Sequence, residues 1–169
     1  LKKVKNICHQ DMLNIETRIS LSRASKRRIK KFWKRYKGNL NGSSWKSIHH
    51  SVKNEISEKL FRNQRFKCCY CERYLTAMSP QIDHFAHKAD YPRFTFNPTN
   101  LFYACSFCNS SAVKGQKSTV AVFNNRYDRT TFDIIHPYRD NPDDEIAFKD
   151  SDKVILDIDN CTDLGRRTI

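Results

Sequence analysis

The sequence predicts an α+β protein in which N-terminal helices adjoin a small centre of strands and turns clamped by cysteines. Three observations carry that prediction. Apolar residues recur at helical spacing in the first 60 positions, two Cys-x-x-Cys pairs bracket a run of short strand-like segments, and the positive charge is concentrated at one end. With 169 residues the chain has room for one domain with a core, not for two large ones.

Taken in order, Ile29, Phe32, Trp33 and Tyr36 stand at i, i+3, i+4 and i+7 among eight cations in the twelve positions Lys26 to Lys37, which reads as a basic amphipathic helix. Gly38-Asn39-Leu40-Asn41-Gly42 breaks it. Ser44 is then placed to cap a second helix with the apolar stripe Trp45, Ile48, Val52, Ile56 and Leu60. These aromatics, with Phe61, read as core more than as base-stacking platforms. The centre reads as short strands at Phe66–Cys68, Tyr74–Thr76, Gln81–Phe85 and Leu101–Ala104, followed by a short helix between Asn109 and Val122. In the tail, Thr131–Ile135 and Val154–Ile158 are strand-like, with Asn141–Asp144 as a turn between them.

Charge divides the chain in the same places. Residues 1–65 hold 18 basic and 4 acidic side chains, residues 66–125 hold 6 and 3, and residues 126–169 hold 7 and 11. A basic helical arm, a cysteine-bearing core and an acidic C-terminal segment are therefore expected. The net charge of +13 favours a polyanionic partner and weighs against a generic metabolic enzyme; the cations from Lys26 to Lys37 suit phosphate-backbone binding. No run of 18 apolar residues appears, and the first 25 residues carry charges throughout with no apolar signal-peptide core, so neither membrane spanning nor secretion is expected and a cytoplasmic location follows. The start at Leu1 and the end at Arg166-Arg167-Thr168-Ile169 read as a piece of a longer chain.

Seven cysteines in a reducing compartment call for a role other than disulfides. Cys68 with Cys71, and Cys105 with Cys108, form two tight turns whose four thiolates make a tetrahedral set suited to structural zinc. Cys69 is left as a buried thiol or an alternative ligand, and Cys8 and Cys161 are unassigned. The 33 residues between the pairs exceed an ordinary zinc-ribbon gap, so a functional insertion is expected there. It contains Asp83-His84 and Asn100, and Asn109 follows the last cysteine. Carboxylate and amide oxygens are hard ligands for Mg²⁺ or Mn²⁺, and a neutral imidazole accepts a proton from water near neutral pH. Adjacent strand residues face opposite ways, so Asp83 and His84 share a site only where the strand ends or bulges.

In order and spacing, Asp83-His84, Asn100-Leu101 and Cys108-Asn109, bracketed by the two knuckles, resemble the HNH endonucleases with their ββα-metal centre. That resemblance, over about residues 66–117, implies hydrolysis of DNA phosphodiester bonds. It makes His84 the general base and has Asp83 and Asn109 hold one catalytic Mg²⁺ or Mn²⁺. Asn100 orients the histidine loop, and Lys114, two residues later than the usual lysine, contacts a phosphate. His87 stands where relatives have proline, as a spare ligand or a surface residue.

A looser likeness, from Lys67-Cys68-Cys69-Tyr70-Cys71-Glu72 to Ile135-His136-Pro137-Tyr138-Arg139-Asp140-Asn141-Pro142, is to the PtuB-type HNH nucleases of retron and Septu anti-phage systems. It implies a PtuA-like ATPase partner of the ABC or SMC type. The acidic tail then reads as a protein-docking surface or a solvated edge. Two rival readings keep the zinc and drop the chemistry: a non-catalytic zinc module that binds nucleic acid, and an adaptor with a vestigial nuclease centre.

Overall fold

A computed structural model describes residue 15 and residues 17–75 and 79–169. Cys8 and Thr76 lie outside the described residues. The architecture is mixed helix and small sheets, α+β. No helix among the described residues is long and apolar enough to cross a membrane.

Helix α1, Arg23–Arg35, starts where the Ser22 hydroxyl accepts from the Ser25 N–H, and it carries Lys34 and Arg35 in its last turn, both favourable to a helix terminus. Lys37 and Gly38 stop it with positive φ, and the Gly38 N–H returns to the Trp33 carbonyl at 3.1 Å. Ile29, Phe32 and Trp33 lie against the core, while the cations face solvent.

The second helix of the sequence reading is two helices. Ser44–Ser47 forms α2 and His50–Asn63 forms α3, because Ile48 adopts an extended ψ of 148° and the His49 ring nitrogen takes the Ser51 N–H as a new cap. The break costs the stripe nothing: Ile48, Val52, Ile56 and Leu60 are all buried, the last three completely. Glu55 links α3 to α1, accepting from the Ser22 N–H at 2.6 Å and the Ser25 hydroxyl at 2.5 Å. Burial raises this carboxyl, but those bonds and the Lys59 ammonium outweigh it and hold the pKa at about 2.

Strands β1, Gln81–His84, and β2, Leu101–Ala104, form an antiparallel hairpin with Asp83 opposite Phe102 and His84 opposite Leu101. The fully buried Gln64, at the end of α3, does the work of a further strand on β2. Its amide donates to the Tyr103 carbonyl at 2.8 Å and accepts from the Tyr103 N–H at 2.7 Å. The segments around the first knuckle are not full strands; they meet in a single bridge, Lys67 to Tyr74.

The helix predicted between Asn109 and Val122 is absent. Turns and bends occupy 109–116, and β3, Val120–Val122, pairs with β4, Thr131–Phe132. Gly115 has φ +38°, and a Cβ there would lie 2.5 Å from the Ser110 carbonyl oxygen, so the chain folds back tightly at a residue without a side chain. The Lys114 N–H bonds the Cys108 carbonyl at 3.1 Å, which turns Lys114 inward. In the tail, Asn141 caps α4, Pro142–Glu145, and Thr162 caps α5, Asp163–Thr168. Val154–Ile158 makes no strand: Asp150 accepts from the Val154 and Ile155 N–H groups, and only Leu156 bridges, to Phe148.

Candidate functional site

Cys68, Cys71, Cys105 and Cys108 converge, with all four sulfurs within 4.8 Å of one another. Local backbone does this. Each Cys-x-x-Cys pair spans a tight turn, and the Cys69 N–H bonds the Tyr103 carbonyl at 3.0 Å, which lays the first knuckle on β2 just before the second. The Cys71 and Cys105 sulfurs are 3.8 Å apart, and tetrahedral zinc with Zn–S bonds of about 2.3 Å needs S···S of about 3.8 Å. The donor set fits: four soft sulfurs that could hold a metal ion such as zinc.

The N–H groups of Cys105 and Cys108 point at the sulfurs of Cys68 and Cys105, at 3.3 and 3.4 Å, the contacts that stabilise thiolates. A hydrogen bond from Cys69 brings the Cys68 thiol down to about 4 against the opposing effect of burial, with backbone N–H groups helping. Burial and the Cys68 charge push Cys71 and Cys108 up. Four sulfurs this close resist sharing negative charge unless a cation sits among them. Cys69 lies outside the cluster as a buried thiol donating to Cys68, and Cys161 packs in a separate apolar cluster with Ile135 and Ile146.

Asp83 and His84 end β1 and turn to opposite faces. The Asp83 carboxylate, 5% exposed, receives the Lys114 ammonium at 2.7 to 2.8 Å on its two oxygens and the Tyr70 hydroxyl at 2.6 Å. Lys114 is itself buried and also donates to the His84 carbonyl at 2.7 Å. Asn109 does not join them: its amide donates to the Gln81 side chain at 2.8 Å, two residues before Asp83 on the same strand face. Among the described residues no group of three or more His, Cys, Asp or Glu gathers around Asp83. Asp83 and Asn109 therefore do not build an oxygen cage for Mg²⁺ or Mn²⁺ in this arrangement; the positive charge beside Asp83 is the Lys114 ammonium.

On the other face the His84 ring, 2% exposed, meets Trp45 edge-on at 4.9 Å. Its Nε2 lies 3.1 Å from the Thr95 carbonyl oxygen. A carbonyl only accepts, so Nε2 carries the hydrogen and the lone pair of the neutral ring sits on Nδ1. Burial, with Lys88 nearby, lowers the pKa to about 3, so the ring is neutral at physiological pH. Trp45 also lines a shallow groove of about 260 Å³ with Ile82 and Tyr103.

Asn100 is fully buried and grips the loop that follows His84. Its side chain accepts from the Ala86 N–H at 2.7 Å and donates to the Ala86 and Phe94 carbonyls at 3.1 and 3.2 Å. His87 pairs with Asp90 at 3.1 Å, away from the sulfurs. Tyr70, Thr95 and Gln64 were not singled out from sequence. Tyr70 had one signal, its place inside a knuckle; a carbonyl such as that of Thr95 has none.

No protein-family model matches the chain, and no curated protein matches it in sequence.

Proposed function

We propose that the chain is an HNH-type endonuclease that hydrolyses DNA phosphodiester bonds on a zinc-clamped ββ hairpin, with His84 as the general base. The observation that carries the reading is the orientation of His84. A backbone carbonyl holds Nε2–H, which leaves Nδ1 as the proton acceptor and opposes part of the effect of burial on the ring. The buried grip of Asn100 on Ala86 and Phe94 fixes the loop that supplies that carbonyl.

The expected Mg²⁺ or Mn²⁺ is not built into this reading, because Asp83 and Asn109 are engaged elsewhere. The chain's own residues divide the work as follows. His84 accepts a proton from water, Asn100 and Thr95 orient it, and Lys114 supplies positive charge beside Asp83. The basic face of α1 gathers the phosphate backbone. Action inside an anti-phage complex with an ATPase of the ABC or SMC type belongs to the same proposal. It is supported by the acidic tail and by the exposed Val154, Ile155 and Ile158, apolar side chains left without cover among the described residues.

The buried His84 and the closed Asp83–Lys114 pair favour a second reading, a zinc module that binds nucleic acid and cuts nothing. One comparison separates them. Supercoiled plasmid is incubated with the wild type and with His84→Ala, each with and without Mg²⁺ or Mn²⁺ and with and without the product of the neighbouring gene. Nicking or linearisation by the wild type alone, with equal zinc content and DNA affinity in both proteins, supports the nuclease. Equal cutting by both removes His84 from the chemistry, and tight binding without cutting under every condition establishes the second reading.

A further inference from the structure

Three arginines far apart in sequence, Arg18, Arg126 and Arg139, line one open cleft of about 620 Å³, a volume suited to a nucleotide-sized ligand. Asp128 is the cleft's one carboxylate among the lining residues, so the lining carries three positive charges against one negative. Arg126 is clamped to Asp128 through Nε at 3.1 Å and a terminal nitrogen at 2.6 Å. Arg18 and Arg139 have no carboxylate partner among the described residues.

Arg139 is held in place before any ligand arrives. One terminal nitrogen donates to the Thr130 carbonyl at 2.8 Å and the other to the Tyr127 carbonyl, with the guanidinium 4.9 Å from the Tyr127 ring centre and 5.1 Å from that of Phe132. A guanidinium fixed by backbone carbonyls and aromatic faces loses little further freedom when it meets an anion, and its planar fork suits phosphate oxygens. Two routes connect the cleft to the histidine. Thr99, in the wall, stands next to Asn100, which grips the loop after His84. Tyr127, another lining residue, bonds His136 at 3.0 Å, and that ring packs 4.6 Å from Phe85, the residue after His84.

We propose that this cleft is a phosphate-binding site that seats the backbone of a nucleic-acid strand beside the hairpin. Unlike the exposed cations of α1, it selects position as well as charge. The assignment to a nucleic-acid strand rests on the nuclease reading; the anion-binding chemistry of the cleft stands on its own residues.

The test measures the affinity of the intact protein for a short labelled single-stranded oligonucleotide at several salt concentrations, alongside plasmid cleavage. Arg18→Gln removes an exposed cation that makes no ion pair among the described residues, so the fold is expected to persist. It is expected to weaken binding about five- to tenfold and to lower the magnitude of the salt slope by about 0.7 to 0.9. Asp128→Asn removes the repelling carboxylate and releases the Arg126 fork, so it should tighten binding about threefold. A purely structural role for the cleft would not produce that gain. Unchanged affinity in both variants overturns the proposal and leaves the nuclease reading intact. Arg18-dependent binding by a protein that never cuts upholds the cleft and removes the nuclease reading. Competition by a nucleoside monophosphate and by inorganic phosphate distinguishes the source. If the monophosphate binds with Arg18 dependence while the oligonucleotide does not, the cleft serves a free nucleotide and the strand assignment falls.

Discussion

The two polar clusters of the centre share the first knuckle and the hairpin, yet they are built in different ways. At one, four cysteines from two short turns bring their sulfurs within 4.8 Å, a donor set that could hold a metal ion. At the other, Asp83 and His84 are neighbours in sequence and part company in space, one on Lys114 and Tyr70, the other on Thr95 and Trp45. The first cluster could hold a metal ion such as zinc; the second is paired with a cation of the chain itself. An external cation is thus expected to dominate the stability of the sulfur end and to matter little to the fold at the Asp83 end.

The largest effect should come from the sulfurs. Chelation, or Cys71→Ser, should release one zinc per chain and abolish cooperative unfolding of the centre, since structural zinc contributes about 10–16 kcal/mol in small zinc domains. Metal analysis with near-ultraviolet circular dichroism reads both. A chelated protein that melts like the untreated one would end the contrast.

Next comes the buried ion pair. Lys114→Met leaves the Asp83 carboxylate buried with only Tyr70, and should cost about 3–5 kcal/mol in urea unfolding. Adding Asp83→Asn should recover much of that loss. If the single variant is as stable as the wild type, Lys114 does not serve as the internal counter-charge of Asp83.

A smaller, pH-dependent effect belongs to His136, fully buried between the Tyr127 hydroxyl and the Tyr138 N–H. Burial, helped by Arg139, lowers its pKa to about 3 from 6.5. Between these values the unfolded chain binds a proton that the folded chain refuses. The contribution of neutral His136 is therefore full above pH 6.5 and declines as pH falls, by at most about 1.4 kcal/mol per pH unit. Comparing the pH dependence of the wild type with His136→Gln isolates the slope; an identical slope would refute the assignment.

The smallest effect on the fold sharpens the contrast from outside. Neutralising the exposed Lys30, Lys31 and Lys34 should move stability by less than about 0.5 kcal/mol. The same change should flatten the salt dependence of DNA binding. An unchanged salt slope would reduce α1 to a solvated packing element.

Some of this was readable from residues alone. Helical spacing found Val52, Ile56 and Leu60, all completely buried, because a stripe on one face has one way to leave water. It could not find the break at Ile48, where an extended residue keeps its side chain in the core while His49 restarts the helix. The helix expected after Asn109 failed because apolar content at 112–121 says nothing about the inward turn that Gly115 permits and the Asp83–Lys114 contact completes. Exposed Val154 and Ile155 show the same limit: strand-forming residues make a strand only where another strand offers its hydrogen bonds.

By itself the sequence determined the sulfur cluster, the basic arm and the mixed helix-and-sheet class, since each depends on spacing, charge or periodicity, properties fixed along a few residues of chain. Tertiary structure alone decided what faces Asp83 and which His84 nitrogen keeps its lone pair. Partners 31 and 11 residues away settle these points through the packing of the folded chain, and no local pattern encodes that.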